Sequence, residues 1–202
     1  QTYLTHVQAL EDRMLPGDGG MPDLLDGFFD ALDGLSLAPA DRGLRQVMLS
    51  AGQALAGGVS DLATGLESLA GGVRDEMAQA VDAANVTLKS LADLQAQLAR
   101  TTDTAARNPL LDRRDALLGD LARLVGVEVT LDDRGRASLR LGADGAGPVL
   151  LAEGRAGRIE MADDGRLTAA PADADAPRVQ VQVQAAGGVL GGLGDAGGAI
   201  AQ

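Results

Sequence analysis

The strongest constraint on this chain is a single apolar rhythm. From Asp41 to about Thr102, the residues Leu44, Met48, Ala51, Leu55, Val59, Leu62, Leu66, Leu69, Val73, Met77, Ala80, Ala84, Leu88, Leu91, Leu94 and Leu98 recur in steps of three and four. That spacing places them on one face of an α-helix, and Asp41 stands where an N-cap is needed. At about 1.5 Å per residue the helix is roughly 90 Å long. A compact globule of this chain length has a radius of gyration of only about 16 Å, so the helical half is expected to be a rod. Gly57-Gly58 and Gly71-Gly72 fall inside the pattern, and each glycine costs up to about 1 kcal/mol against alanine in a helix. The apolar stripe continues on both sides of each pair, so an unbroken helix is expected, with the small residues letting neighbouring helices approach.

Shorter helical patterns flank it. Residues 3 to 15 carry Tyr3, Leu4, Val7, Leu10, Met14 and Leu15 at helical spacing, and Pro16 to Gly20 stops them. Pro22, at a first-turn position beside Asp23, opens a second helix in which Leu24, Leu25, Phe28, Phe29 and Leu32 line one side until Pro39. Asn108-Pro109 reads as a cap followed by a first-turn proline, opening a helix with Leu110, Leu111, Leu117, Leu118, Leu121, Leu124 and Val125 that ends at Gly126.

After Gly126 the period falls from near 3.6 to 2. Val127, Val129 and Leu131 alternate with polar residues, Asp132 to Gly135 makes a turn, and Ala137, Leu139 and Leu141 alternate again. Strands are expected at Val149–Ala152, Arg158–Ala162, Arg166–Ala169 and Arg178–Gln184, with a Pro/Asp/Ala loop over 171–177 before the last. Residues 187–202 are glycine-rich and carry Val189, Leu190 and Leu193 toward a returning helix. The fold class is therefore α+β: an elongated α-helical bundle with long helices, followed by a small antiparallel β domain with one face covered. The expected division is a helical rod domain over 1–126, to which 187–202 returns, and a β domain over 127–186.

The palette suits helix packing. Tyr3, Phe28 and Phe29 are the only aromatic residues, so cores must be built from Leu, Val, Ala and Met. The net charge of −12 divides into about −8 over residues 1–125 and about −4 beyond. The bases are scattered among acids, apart from Arg113-Arg114, so neither nucleic acid nor an anionic membrane surface is an expected partner. Absence of cysteine excludes disulfides and thiolate chemistry. No apolar run approaches the ~20 residues of a membrane helix, and the N-terminus lacks the basic-then-apolar pattern of a cleavable signal. A protein of this kind working outside the cell leaves by a route that reads no such signal, or has been trimmed.

Candidate chemistry is sparse. Gly192-Leu-Gly194-Asp-Ala-Gly197 matches the dinucleotide-binding pattern, but that site needs a βαβ unit and an acid about 20 residues further on. His6 is the sole histidine and has no arranged partner, so a surface or boundary role is the better reading. Asp132-Asp133, Asp163-Asp164, and Asp173 with Asp175 could collect calcium, yet the first two pairs run into Gly135 and Gly165 as hairpin turns do, and none has EF-hand spacing. Arg113-Arg114 with Asp112 and Asp115 reads as a solvated or intra-bundle salt-bridge cluster. Catalytic, cofactor-binding and metal-ligating residues are all expected to be none, and the chain is not expected to be an enzyme.

Longer stretches carry more information. Asn108-Pro-Leu-Leu-Asp-Arg-Arg-Asp-Ala-Leu-Leu-Gly-Asp-Leu-Ala-Arg-Leu-Val-Gly-Val resembles a segment of the flagellar hook-associated protein 1 family. Asp26-Gly-Phe-Phe-Asp-Ala-Leu and Ala38-Pro-Ala-Asp-Arg-Gly-Leu-Arg-Gln-Val-Met-Leu-Ser-Ala-Gly-Gln-Ala-Leu resemble its upstream helices, and Gly187-Gly-Val-Leu-Gly-Gly-Leu resembles the start of its returning helix. The likeness covers essentially the whole chain and is least specific in the β region. It implies a rod-like helical domain, a β domain at its outer end, type III export without a cleaved signal, and an extracellular place in the bacterial flagellum. It further implies self-association in a ring between hook and filament, with hook protein on one side and the next hook-associated protein on the other. Family members begin well before and end well after this stretch, so the chain reads as a central fragment, monomeric in isolation. The competing readings are another axial flagellar protein, such as hook-associated protein 3 or flagellin, and a surface adhesive or ligand-binding module using the β domain.

Overall fold

A computed structural model describes residues 20–142, 144–182 and 187–200. The expected helix over 3–15, His6, and the last residues of the expected Arg178–Gln184 strand lie outside the described residues. The chain divides into two compact units, with the boundary between Gly72 and Val73.

The first unit holds helix α1 (Met21–Leu37) and the opening half of helix α2 (Arg42–Arg100). Pro22 occupies the first turn of α1, where its missing N–H costs nothing. Asp41 caps α2, its carboxylate accepting from the backbone N–H groups of Gly43 at 2.7 Å and Leu44 at 3.1 Å. The five apolar residues expected on one side of α1 occupy two faces. Leu24 and Phe28 are half-buried and Ala31 is buried, whereas Leu25, Phe29 and Leu32 are exposed. A Cβ on Gly58 would stand 2.3 Å from Leu24 Cδ1, and one on Gly52 would touch Phe28 at 3.8 Å. The expected use of small residues for close helix approach thus holds at Gly58. It does not hold at Gly71 and Gly72, which face open space.

α2 is unbroken over 59 residues, about 90 Å of helix, and runs through both glycine pairs. In the second unit its apolar stripe is fully used. Val73, Met77, Ala80, Ala84, Leu88, Leu91, Leu94 and Leu98 are all buried. Helix α3 (Thr104–Leu124) begins four residues before the expected Asn108, because Asp103 is the working cap and accepts from Ala106 N at 3.0 Å. Pro109 lies inside the helix, where an exposed Ala105 carbonyl can turn to water instead of a peptide N–H.

Two antiparallel sheets follow. The first has strand order β1 (Val127–Leu131), β2 (Ala137–Leu141), β3 (Val149–Ala152), β4 (Arg155–Ala156). The second is β5 (Arg158–Met161), β6 (Leu167–Ala170), β7 (Val179–Val181). Val129 faces Leu139 across β1 and β2, and Ile159 faces Ala169 across β5 and β6. β4 was not expected. Its two residues offer no alternation to read, and it pairs because Glu153 (φ 52°) and Gly154 (φ 74°) form a two-residue turn with both φ positive.

Helix α4 (Gly188–Ile200) returns the chain to the helices and packs on α3. The way out and the way back lie against each other: a Cβ on Gly187 (φ 62°) would stand 3.1 Å from Gly126 Cα, and one on Gly188 (φ 57°) 2.9 Å from Arg123 O. One apolar core joins Leu88 and Leu91 of α2, Leu121 and Val125, Leu139, Leu150 and Leu151 of the first sheet, Ile159 and Leu167 of the second, and Leu190 and Leu193 of α4.

Candidate functional site

Apolar packing fixes how close the sheets lie to α2 but not their orientation, because burial is non-directional. Orientation comes from four polar side chains that bind strand or turn backbone. Asn85, on α2, is bidentate on β5: its Oδ1 accepts from Ile159 N–H and its Nδ2 donates to Ile159 O, both at 2.8 Å. Ile159 therefore turns both backbone groups away from β6 and satisfies them on the helix. Gln95, three turns further along, is buried and donates from Nε2 to Ala137 O of β2 at 2.7 Å.

The β1–β2 turn is held from α3. Arg114 is buried, donates from Nη1 to Gly135 O at 2.7 Å, and pairs through Nε and Nη2 with Asp115 at 2.8 and 2.7 Å. Arg107 donates from Nη1 to the carbonyls of Leu98 and Thr101 at 2.8 and 3.0 Å and from Nη2 to Arg134 O at 3.1 Å. It thus adds a donor to carbonyls at and just past the end of α2, where the intrahelical N–H partners run out, and ties that end to the turn.

The turn is also braced by one of its own side chains. Asp132 Oδ1 accepts from Arg134 N at 3.0 Å and Arg136 N at 2.8 Å, and Oδ2 from Arg136 Nε at 2.6 Å. The Arg136 backbone N–H, followed by its side chain, holds the Asp132 carboxyl below the ordinary value of 3.8. Asp164 in the β5–β6 turn is lowered in the same direction, first by the Arg166 backbone N–H.

The residues singled out in the sequence fall as follows. Asp132 and Asp164 are turn-forming acceptors, and among the described residues no group of three or more His, Asp or Glu side chains converges. Asp173 Oδ1 accepts from Asp175 N at 3.2 Å within its own loop. Gly192 to Gly197 lie inside α4 rather than in a strand-to-helix loop, so their backbone N–H groups are not displayed to a phosphate. Arg114 forms a salt bridge, to Asp115, as expected of this cluster, but it is buried rather than solvated and also anchors a hairpin turn. Asn85, Gln95 and Arg107 were not anticipated. Gln95 is the one with a legible signal, an uncharged polar residue between Leu94 and Leu98 on the buried stripe. Among the described residues no helix is long and apolar enough to cross a membrane.

A long helix used as a spine, with sheets pinned to it by side-chain-to-backbone bonds from Asn85, Gln95, Arg107 and Arg114, has the build of a structural scaffold. The helical domain of the flagellar hook-associated protein FlgK matches residues 7–201, and the chain belongs to this family. It is 29% identical over 183 residues to flagellar hook-associated protein 1 of Salmonella typhimurium, covering 89% of this chain and 31% of that protein. Against the protein of the same name from Escherichia coli K12 it is 29% identical over 196 residues, 93% of this chain and 35% of the other. Its fold is similar to the structure of the flagellar hook junction protein FlgK from Burkholderia pseudomallei, with a TM-score of 0.82 and 25% identity, over 96% of this chain and 36% of that one. The chain therefore spans about a third of the length of these relatives.

Proposed function

We propose that the chain is the spine and outer sheets of a hook–filament junction protein, a structural part of the extracellular flagellum without catalytic activity. The observation that carries this is the agreement of sequence and fold with hook-associated protein 1 and the hook junction protein over nearly the entire chain. The division of labour follows residues 1–126 with 187–202 as the helical domain that sets subunit spacing, and 127–186 as the β domain that faces outward. Full-length subunits associate in a ring, with hook protein on one side and the next hook-associated protein on the other. Export proceeds without a cleaved signal, and the isolated chain is monomeric.

Two features support a mechanical role. Bidentate and buried backbone pins resist shear between α2 and the sheets, because hydrogen bonds are directional where apolar contacts are not. Leu25, Phe29, Leu32 and Leu37 of α1 leave an apolar stripe exposed, as surfaces that meet other subunits do.

Deletion of the gene, followed by electron microscopy of the cells and assay of the medium for flagellin, tests the proposal. Hooks without filaments, with flagellin lost to the medium, are expected. Normal filaments on the deletion strain refute the junction role.

A further inference from the structure

The second unit contains a cleft of about 570 Å³ between the end of α2, the start of α3 and the β1–β2 turn. Its lining is unusual for a chain of net charge −12: three arginines, Arg107, Arg134 and Arg136, and three threonines, Thr101, Thr102 and Thr104, with no carboxylate. Leu98 and Ala99 supply apolar wall between them. Arg107 is fixed by three backbone carbonyls, which orient its guanidinium but leave its charge uncompensated. Arg136 keeps one ion pair, to Asp132. The Arg134 guanidinium has no partner among the described residues. Gathering like charges costs energy unless an anion shares the site, and this cleft is too large for a single small ion to fill.

The chain carries a matching element. The loop Pro171-Ala-Asp-Ala-Asp-Ala-Pro177 holds two acids and no base. Asp173 and Asp175 pair with no cation among the described residues, in contrast to Asp132, Asp164 and Glu160, each of which has an arginine. The loop is pre-shaped by Ala176 N–H donating to Asp173 O at 3.1 Å and Asp175 N–H to Asp173 Oδ1, which lowers the entropy lost on docking. Its exposed Asp173, Ala174 and Asp175 offer two carboxylates flanking a methyl to a lining of guanidinium and hydroxyl groups beside Leu98 and Ala99.

We propose that the arginine cleft is a subunit contact that receives the Asp173–Asp175 loop of a second copy. Cleft and loop are different surfaces of one chain, so each copy can receive one neighbour's loop and offer its own to another, the head-to-tail arrangement that builds rings and helical arrays. This rests on the proposed self-association of junction subunits. It adds which surfaces meet.

The test is a ¹H–¹⁵N NMR titration of the 202-residue chain with the synthetic peptide Pro-Ala-Asp-Ala-Asp-Ala-Pro. Saturable shifts confined to the cleft residues are expected, with affinity falling at least about threefold between low and high salt. They should vanish with the Asn-for-Asp peptide and with the Arg134→Glu chain, whose own spectrum reports that it is folded. Three results would each overturn the proposal: no shifts at millimolar peptide, equal shifts with the asparagine peptide, or the same shifts from inorganic phosphate at matched charge. Any of them leaves the junction reading to its own deletion test.

Discussion

Asn85→Ala is the sharpest perturbation of the joint. The substitution removes two 2.8 Å hydrogen bonds at once and strands the N–H and C=O of Ile159, a residue only 2% exposed. Each backbone group left unpaired costs about 1–3 kcal/mol, and the site is part-buried, so the sum falls at about 2–4 kcal/mol. Alanine keeps the helix propensity favourable, which confines the effect to the sheet contact. With a urea slope of about 1–3 kcal/mol per molar, the midpoint for the second unit should fall by about 1–2 M. The two units need not unfold together, so the decisive reading is local. Hydrogen exchange at the Ile159 amide should accelerate by about 100-fold, the rate equivalent of roughly 3 kcal/mol. Asn85→Asp keeps the acceptor for the Ile159 N–H but sets a carboxylate oxygen against Ile159 O, and should be at least as destabilising as alanine above the carboxyl's titration. A stability within about 0.5 kcal/mol of the parent, the range of a neutral surface substitution, with Ile159 exchanging no faster, would refute the idea that directional bonds set the sheet on the spine.

Three further outcomes are expected. Gly72→Ala should raise helix stability by up to about 1 kcal/mol because it meets open space, whereas Gly188→Ala should cost about 1–3 kcal/mol, since its φ is positive and its Cβ would press on Arg123 O; thermal unfolding of both variants gives the opposite signs directly. Leu91→Ala, at a fully buried position of the shared core, should lose about 2–5 kcal/mol by equilibrium denaturation, and a loss below about 1 kcal/mol would contradict the core assignment. Asp132 and Asp164 should titrate below 3.8 by carboxyl NMR. Their folded values are depressed, so the stability they contribute is present above 3.8 and is lost as pH falls through the folded values. Asp132→Asn should flatten that acid-side loss.

The sequence by itself determined the elements and their order. The stripe from Leu44 to Leu98, capped at Asp41, specified α2 almost to the residue because burial repeats with the helical period, and alternation after Gly126 specified most strands for the same reason. The longer segments around Asn108 pointed to the family. What the sequence left open concerns which residues meet. Leu25, Phe29 and Leu32 look like core but stay exposed, because periodicity shows that a face is apolar and not that anything covers it. Asp103 displaced Asn108 as the cap because both are good cap residues and only the folded helix chooses between them. Asn85 stands out in no way in the sequence and Arg114 only as part of a salt-bridge cluster, since their partners Ile159 and Gly135 lie 74 and 21 residues away and are backbone groups, which carry no side-chain signature. Local chemistry decided where the helices and strands are. Long-range backbone hydrogen bonding, settled only in the tertiary structure, decided how the sheets are fastened to the spine.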